Sequence, residues 1–266
     1  MILDDIGDSY RVMLCDIWGC IHDGNRLYPG AADRLERWRF DKRTTILITN
    51  APRTAEAVGA QLERLGLDPS LWAGIATSGD AGIDHLLKSE RPVGFIGTKA
   101  DRAILEGRGV RIADDENFDE LACAGLDEHR RRVADYEAQI APLAARGVLM
   151  HCLNPDRLVI HAGVAEACAG AIADRYIELG GPVEYYGKPY PAIYRHAMRL
   201  AGDPPASAVL AIGDGLQTDM LGAARMGFDC VYVTGGISRG EPIPESFAPE
   251  NDLGDWQPVA VVKGLQ

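Results

Sequence analysis

Positive charge is what this sequence has least of. Its 266 residues carry 27 lysines and arginines against 39 acids, a formal net charge of −12. A surface of that sign cannot displace the counterions of nucleic-acid phosphate or of an anionic bilayer, which excludes general nucleic-acid and membrane partners. Long apolar runs are missing as well: no charge-free stretch approaches the roughly 18 residues that span a bilayer. The start, Met1-Ile2-Leu3-Asp4-Asp5 with Asp8 close behind, has neither the basic residues nor the apolar stretch of a secretory signal. A cytoplasmic location is the expectation. The cysteines (Cys15, Cys20, Cys123, Cys152, Cys168 and Cys230) form no CxxC pair and sit mostly in apolar segments, as buried reduced thiols do. His85, His151 and His161 show no zinc-ligand spacing along the chain. Gly94-Phe95-Ile96-Gly97 lacks the third glycine of a dinucleotide fingerprint.

What is present is enough apolar residue for a large core, 47% of the chain. Short apolar runs recur: Val12–Ile17, Thr44–Thr49, Gly74–Thr77, Val93–Gly97, Val148–Leu153, Val183–Tyr186, Val209–Ile212 and Cys230–Thr234. They are too short for buried helices, and several lack alternation, as parallel strands covered on both faces do. Helix-like segments such as Ala31–Arg39, Thr54–Leu65, Ala192–Ala201 and Asp219–Met226 lie between them. The alternation predicts an α/β fold with a doubly wound parallel sheet. The stretch Ala113–Gly147 is different in texture, with an acidic run followed by Glu128-His129-Arg130-Arg131-Arg132, and reads as a solvated helical surface. A chain of this length suits a core domain carrying a substantial insertion.

In open α/β sheets chemistry collects at the carboxyl ends of the strands. The first run closes on Asp16-Ile17-Trp18-Gly19 and the second on Thr49-Asn50. Val183–Tyr186 closes on Gly187-Lys188-Pro189, and Ala208–Ile212 on Gly213-Asp214, with Asp219 a helical turn beyond. One sheet edge would then gather three carboxylates, a hydroxyl and an ammonium, a set suited to phosphoryl transfer. The carboxylates Asp16, Asp214 and Asp219 can hold Mg²⁺ through oxygen, and Lys188 and Thr49 can hold phosphate oxygens. Asp16, ending the first strand, is the natural nucleophile. Each signal taken singly has a bland reading as a cap or turn. Four in this order, each directly after an apolar run, are harder to dismiss.

The ordered set Asp16, Thr49-Asn50, Gly187-Lys188-Pro189 and Gly213-Asp214 with Asp219 resembles the four motifs of the haloacid dehalogenase superfamily. Tyr28-Pro29-Gly30, Asn154-Pro155-Asp156 and Thr218–Ala223 are similar to its subclass IIA, the NagD-like and nitrophenylphosphatase-like branch. The resemblance spans nearly the whole chain. It implies a Rossmann-like core over residues 1–78 and 183–266, with an α/β cap inserted over 79–182. It further implies a Mg²⁺-dependent phosphohydrolase acting on a small phosphorylated metabolite through an aspartyl-phosphate. Asp16, the Trp18 carbonyl, Asp214 and Asp219 would hold the metal, and Asn50 would share the phosphoryl oxygens with Thr49 and Lys188. The cap loop Asn154, Asp156 and Arg157 would help select the substrate, and a homodimer through the caps is a further expectation.

One position departs from the pattern. Phosphatases of this superfamily place a second aspartate two residues after the nucleophile, as acid for the leaving group and base for water. Here that residue is Trp18, whose indole can only donate a hydrogen bond. Three readings stand open. His22 or Asp23 takes over the role; or the substrate's leaving group needs no proton, as in acyl phosphates or aryl esters; or the protein binds a phosphate ligand without turning it over.

Overall fold

The computed structural model describes residues 3–161, 164–236 and 242–266, leaving out the side chains of Asp5, Ile160, His161 and Val164. Met1 and Ile2 of the N-terminal reading, and the His161 side chain, thus lie outside the described residues. The strands are β1 (Val12–Asp16), β2 (Thr44–Thr49), β3 (Gly74–Thr77), β4 (Gly94–Ile96), β5 (Glu120–Cys123), β6 (Leu149–Cys152), β7 (Leu158–His161), β8 (Val164–Ala167), β9 (Val183–Tyr185), β10 (Val209–Gly213), β11 (Asp229–Val233) and β12 (Ala260–Val262). The helices are α1 (Ala31–Phe40), α2 (Ala55–Arg64), α3 (Ser78–Leu86), α4 (Lys99–Gly107), α5 (Glu137–Ala145), α6 (Ala169–Glu178), α7 (Pro191–Leu200), α8 (Leu221–Arg225) and α9 (Phe247–Glu250). None is long and apolar enough to cross a membrane. The chain divides into two compact units, one of residues 1–49, 55–76 and 188–266, the other of 50–54 and 77–187.

The first unit is built on a six-stranded sheet ordered β12-β11-β10-β1-β2-β3. β1 pairs in parallel with β10 on one side and β2 on the other. Strand order reverses there, so the carboxyl end of β1 is a topological switch point. Val12 and Leu14 face a core completed by Ile193, Tyr194 and Ala197 of α7 and by Leu221 and Ala223 of α8. Asp16 continues the parity of Val12 and Leu14 and emerges on that same face.

The second unit carries a parallel four-stranded sheet, β4-β5-β6-β9, and the antiparallel pair β7-β8. Leu121, Cys123, Met150 and Cys152 pack on Tyr136, Ile140, Leu143, Ile172 and Tyr176. Two sequence readings are corrected here. Val183–Tyr185 is not a strand of the first sheet: β9 pairs with β6, Met150 opposite Val183 and Cys152 opposite Tyr185, and the first unit resumes at Lys188. Ala113–Gly147 is not a solvated helix throughout, because Leu121, Ala122 and Cys123 of β5 are fully buried at the middle of a sheet.

Residues 50–54 cluster with the second unit through α3. Gly79 donates its N–H to the Ala51 carbonyl at 3.2 Å, and a Cβ on Gly79 would stand 2.2 Å from the Pro52 carbonyl oxygen. Gly79→Ala is therefore expected to cost about 1–3 kcal/mol despite alanine's better helix propensity. Gly107, at the end of α4, has nothing within 4 Å of the same added atom. Gly107→Ala should be neutral or stabilising by up to about 1 kcal/mol. Urea midpoints of the two variants check this, and equal midpoints would contradict it.

Candidate active site

Three neighbouring strands of the first unit deliver the side chains. β1 ends on Asp16, β2 on Thr49, and Asp214 directly follows β10, all at carboxyl ends in register. Asp16, Thr49, Asp214, Asp219 and Lys188 are each at least nine-tenths buried. Lys188 Nζ donates to Asp16 Oδ1 at 2.5 Å and to Asp219 Oδ1 at 2.7 Å. Asp219 is held by a π-helical turn over Leu216–Met220. Its Oδ2 accepts from the Gly215 N–H at 3.1 Å and from Thr218 Oγ1 at 3.2 Å. Both Asp219 oxygens are thus engaged, one of them by Lys188.

Asp16 and Asp214 come together with Cys20, one ligand atom from each lying within 4.8 Å of the others, all three residues buried. The hairpin backbone presses on this spot. Gly19 has φ +94°, and a Cβ there would stand 2.2 Å from Asp214 Oδ2; a Cβ on Gly236 would stand 2.3 Å from the same atom. Burial, then the charge of Asp219, pushes the Asp16 carboxyl well above its ordinary range. Burial opposes a charge on Lys188, but the Asp16 and Asp219 carboxylates outweigh it and raise the ammonium well above its ordinary value. Burial and the Asp16 charge push the Cys20 thiol up as well, so it stays protonated and inert. The buried carboxyl oxygens of Asp16 and Asp214 are hard donors of the kind that a divalent cation such as Mg²⁺ takes.

Trp18 is tied into the hairpin that follows β1. Gly19 N–H donates to the His22 carbonyl at 3.0 Å and His22 N–H to the Ile17 carbonyl at 3.2 Å, a bridge that does not use Trp18's own carbonyl. The indole stands edge-on to the His22 ring, centroids 5.3 Å apart. It lies against Gly24, where a Cβ would come 2.5 Å from its Cη2. His22 Nδ1 accepts from the Gly24 N–H at 2.9 Å. Asp23 Oδ1 accepts from the N–H groups of Asn25 and Arg26, which hold its carboxyl below the usual range. Both stand-in candidates thus bond within the turn.

The remaining sequence candidates lie in the second unit. Asn154 Oδ1 accepts from the Asp156 N–H at 3.0 Å, and Asp156 Oδ1 accepts from Asn50 Nδ2 at 2.8 Å. These three side chains fix a loop. Arg157 is exposed and pairs with Asp174 through Nε at 2.5 Å and Nη2 at 3.2 Å, the surface ion pair that the sequence allowed. Ser78 donates to the Leu153 carbonyl at 2.5 Å and is buried. Sequence reasoning did not connect Gly236 with Asp214; a glycine so far along the chain carries no local signal.

Comparison with known proteins follows the same lines. Residues 13–111 match the haloacid dehalogenase-like hydrolase family, and residues 185–265 match a second HAD-hydrolase-like family. The crystal structure of a hydrolase of the haloacid dehalogenase-like family from Brucella suis superposes with a TM-score of 0.86 at 31% identity, covering 100% of this chain and 99% of that one. An acid sugar phosphatase of Staphylococcus haemolyticus is 27% identical over 262 residues, 97% of this chain and 94% of that protein. A glycerol phosphate phosphatase from Mycobacterium tuberculosis, crystallised with magnesium, shares the fold at 23% identity and a TM-score of 0.74, over 96% of this chain and 76% of that one.

Proposed function

The chain belongs to the haloacid dehalogenase-like hydrolase family, and from that membership we propose a Mg²⁺-dependent phosphatase that cleaves small phosphorylated metabolites at Asp16. The observation that carries this reading is the buried group Asp16, Asp214, Asp219 and Lys188, gathered at the switch point of a parallel sheet. Asp16 is the nucleophile: its carboxylate attacks phosphorus in line as the P–O bond to the departing alcohol or phenol oxygen breaks, and water then hydrolyses the aspartyl-phosphate to inorganic phosphate and the free carboxylate. Lys188, held at Asp16 by two carboxylates, presents its ammonium to a phosphoryl oxygen, and the Thr49 hydroxyl holds another. Asp219 keeps Lys188 protonated and in place. Asp16, the Trp18 carbonyl and Asp214 would hold the metal, which supplies charge stabilisation as the phosphoryl group transfers. Asn50, Asn154 and Asp156 enter the proposal as the side chains that shape the substrate-selecting loop. Arg157, paired to Asp174, is the weakest member of that set.

The test is steady-state phosphate release from sugar phosphates, glycerol phosphate, acyl phosphates and p-nitrophenyl phosphate, with and without divalent ion. Chelation is expected to lower turnover at least about 100-fold, roughly 3 kcal/mol of barrier, and added Mg²⁺ to restore it. Turnover that persists in chelator would refute the metal assignment. A second reading, a phosphate-ligand binder without turnover, draws on Trp18 standing where the acid–base carboxylate is expected. It predicts saturable, Mg²⁺-assisted ligand binding with no release from any ester.

A further inference from the structure

The four-stranded sheet of the second unit has one apolar face, and its other face is polar. Glu120 and Ala122 of β5, His151 of β6 and Glu184 of β9 alternate with the residues packed on α5 and α6, so they project to the opposite side. His151 and Glu184 sit directly opposite each other in the β6–β9 register. His85, in the last turn of α3, brings its ring to 5.1 Å from His151 and 5.5 Å from Tyr186. Its Nε2 lies 4.0 Å from Glu184 Oε2. One ligand atom each from His85, His151 and Glu184 lies within 4.8 Å of the other two.

His151 is fully buried, and its Nδ1 is 2.9 Å from the Tyr186 hydroxyl. In the tautomer that carries its proton on Nδ1 and donates it to the Tyr186 oxygen, the lone pair sits on Nε2. This buried nitrogen has no hydrogen-bond partner among the described residues. The nearest acid, Glu120 Oε1, is 3.9 Å away, beyond hydrogen-bond reach but close enough to add negative charge.

We propose that His85, His151 and Glu184 bind a borderline transition-metal dication, Zn²⁺ foremost, in the second unit. Two imidazoles and a carboxylate make a three-ligand zinc set that leaves a fourth position for water. The same nitrogens discriminate against Mg²⁺, which takes oxygen. Tetrahedral bonds of about 2.0–2.1 Å put ligand atoms roughly 3.3 Å apart, so the three must close by on the order of 1 Å. His85 and Glu184 can make that movement: their side chains are 41% and 46% exposed, which also opens a path for the ion. Tyr186 holds the buried ligand's ring through Nδ1, as metal-bound histidines are commonly held.

The full-length protein, stripped with chelator and then saturated with Mg²⁺ to fill the Asp16 site, is titrated with Co²⁺ and read by visible absorption. A single site is expected, emptied by Zn²⁺ and untouched by further Mg²⁺. His85→Ala and Glu184→Gln, both at partly exposed positions, should each weaken it at least about tenfold, with circular dichroism confirming the fold. Asp214→Asn should leave it unchanged. No saturable Co²⁺ signal would overturn the proposal, as would a signal that survives His85→Ala and disappears in Asp214→Asn. Because the readout is metal binding, failure of this site and failure of the phosphatase reading are distinguishable.

Discussion

Asp16→Asn is expected to lower phosphate release at least about 10³-fold, some 4 kcal/mol of barrier, with Mg²⁺ present throughout. The amide matches the carboxylate in shape but cannot attack phosphorus, so the loss should fall on kcat more than on KM. Two other nucleophiles by residue type, Cys20 and Ser78, are not available. The Cys20 thiol is pushed up by burial and by the Asp16 charge, so it supplies no thiolate. Ser78, a nucleophile by residue type, is buried and spends its hydroxyl on the Leu153 carbonyl. The fold should tolerate the change, because Lys188 keeps its bond to Asp219 at 2.7 Å. In the metal-free protein the substitution even relieves the burial and like-charge repulsion that push the Asp16 carboxyl up. Thermal melting of both proteins in chelator is the control. Metal-dependent turnover that survives in Asp16→Asn would remove Asp16 as nucleophile.

The site was legible along the chain to the extent that its residues close apolar strands. Asp16, Thr49 and Asp214 could be found because parallel strands buried on both faces read as uninterrupted apolar runs, and chemistry sits where such runs stop. Lys188 was found by the same rule applied to a strand of the other unit. Val-Glu-Tyr encodes an extended segment, but pairing with β6 rather than with the first sheet is a tertiary choice that three residues do not encode. β5 was hidden for a different reason: its four residues follow an acidic run, and the charges masked an apolar segment too short to show a period. The meeting of His85, His151 and Glu184 has no local signal at all, since α3, β6 and β9 each contribute one member. The environment of the Trp18 ring depended on Gly24 adopting φ +94°, which sequence suggests only as a turn.

The acidic composition and an anionic substrate are compatible when a cation joins them: a divalent ion at the buried carboxylates Asp16 and Asp214 would invert the local sign and make the pocket attractive to phosphate.

Trp18→Asp carries the second large expectation, a gain. The reading of position 18 as the missing acid–base predicts that the variant raises kcat on alkyl phosphates by about 10²–10⁴-fold, the usual worth of positioned proton transfer. The size should depend on the leaving group. An alkoxide needs a proton as it departs, whereas p-nitrophenolate leaves without one, so the aryl ester should gain much less. The local alternatives are engaged in the turn, His22 Nδ1 accepting from the Gly24 N–H and Asp23 Oδ1 from two backbone N–H groups, so a proton from His22 would have to come from Nε2. The indole can be removed without breaking the hairpin ladder, since the bonds between Ile17, Gly19 and His22 are backbone to backbone. Glycerol phosphate and p-nitrophenyl phosphate are compared in wild type and variant: fast alkyl-ester turnover by the wild type with no gain in the variant means His22 or Asp23 already supplies the proton. A gain confined to the alkyl ester means the wild type lacks a general acid and works on substrates that need none. An equal change on both esters means Trp18 acts on the substrate by packing. Silence of both proteins toward both esters, with ligand still bound, would leave a phosphate-binding protein on a phosphatase scaffold.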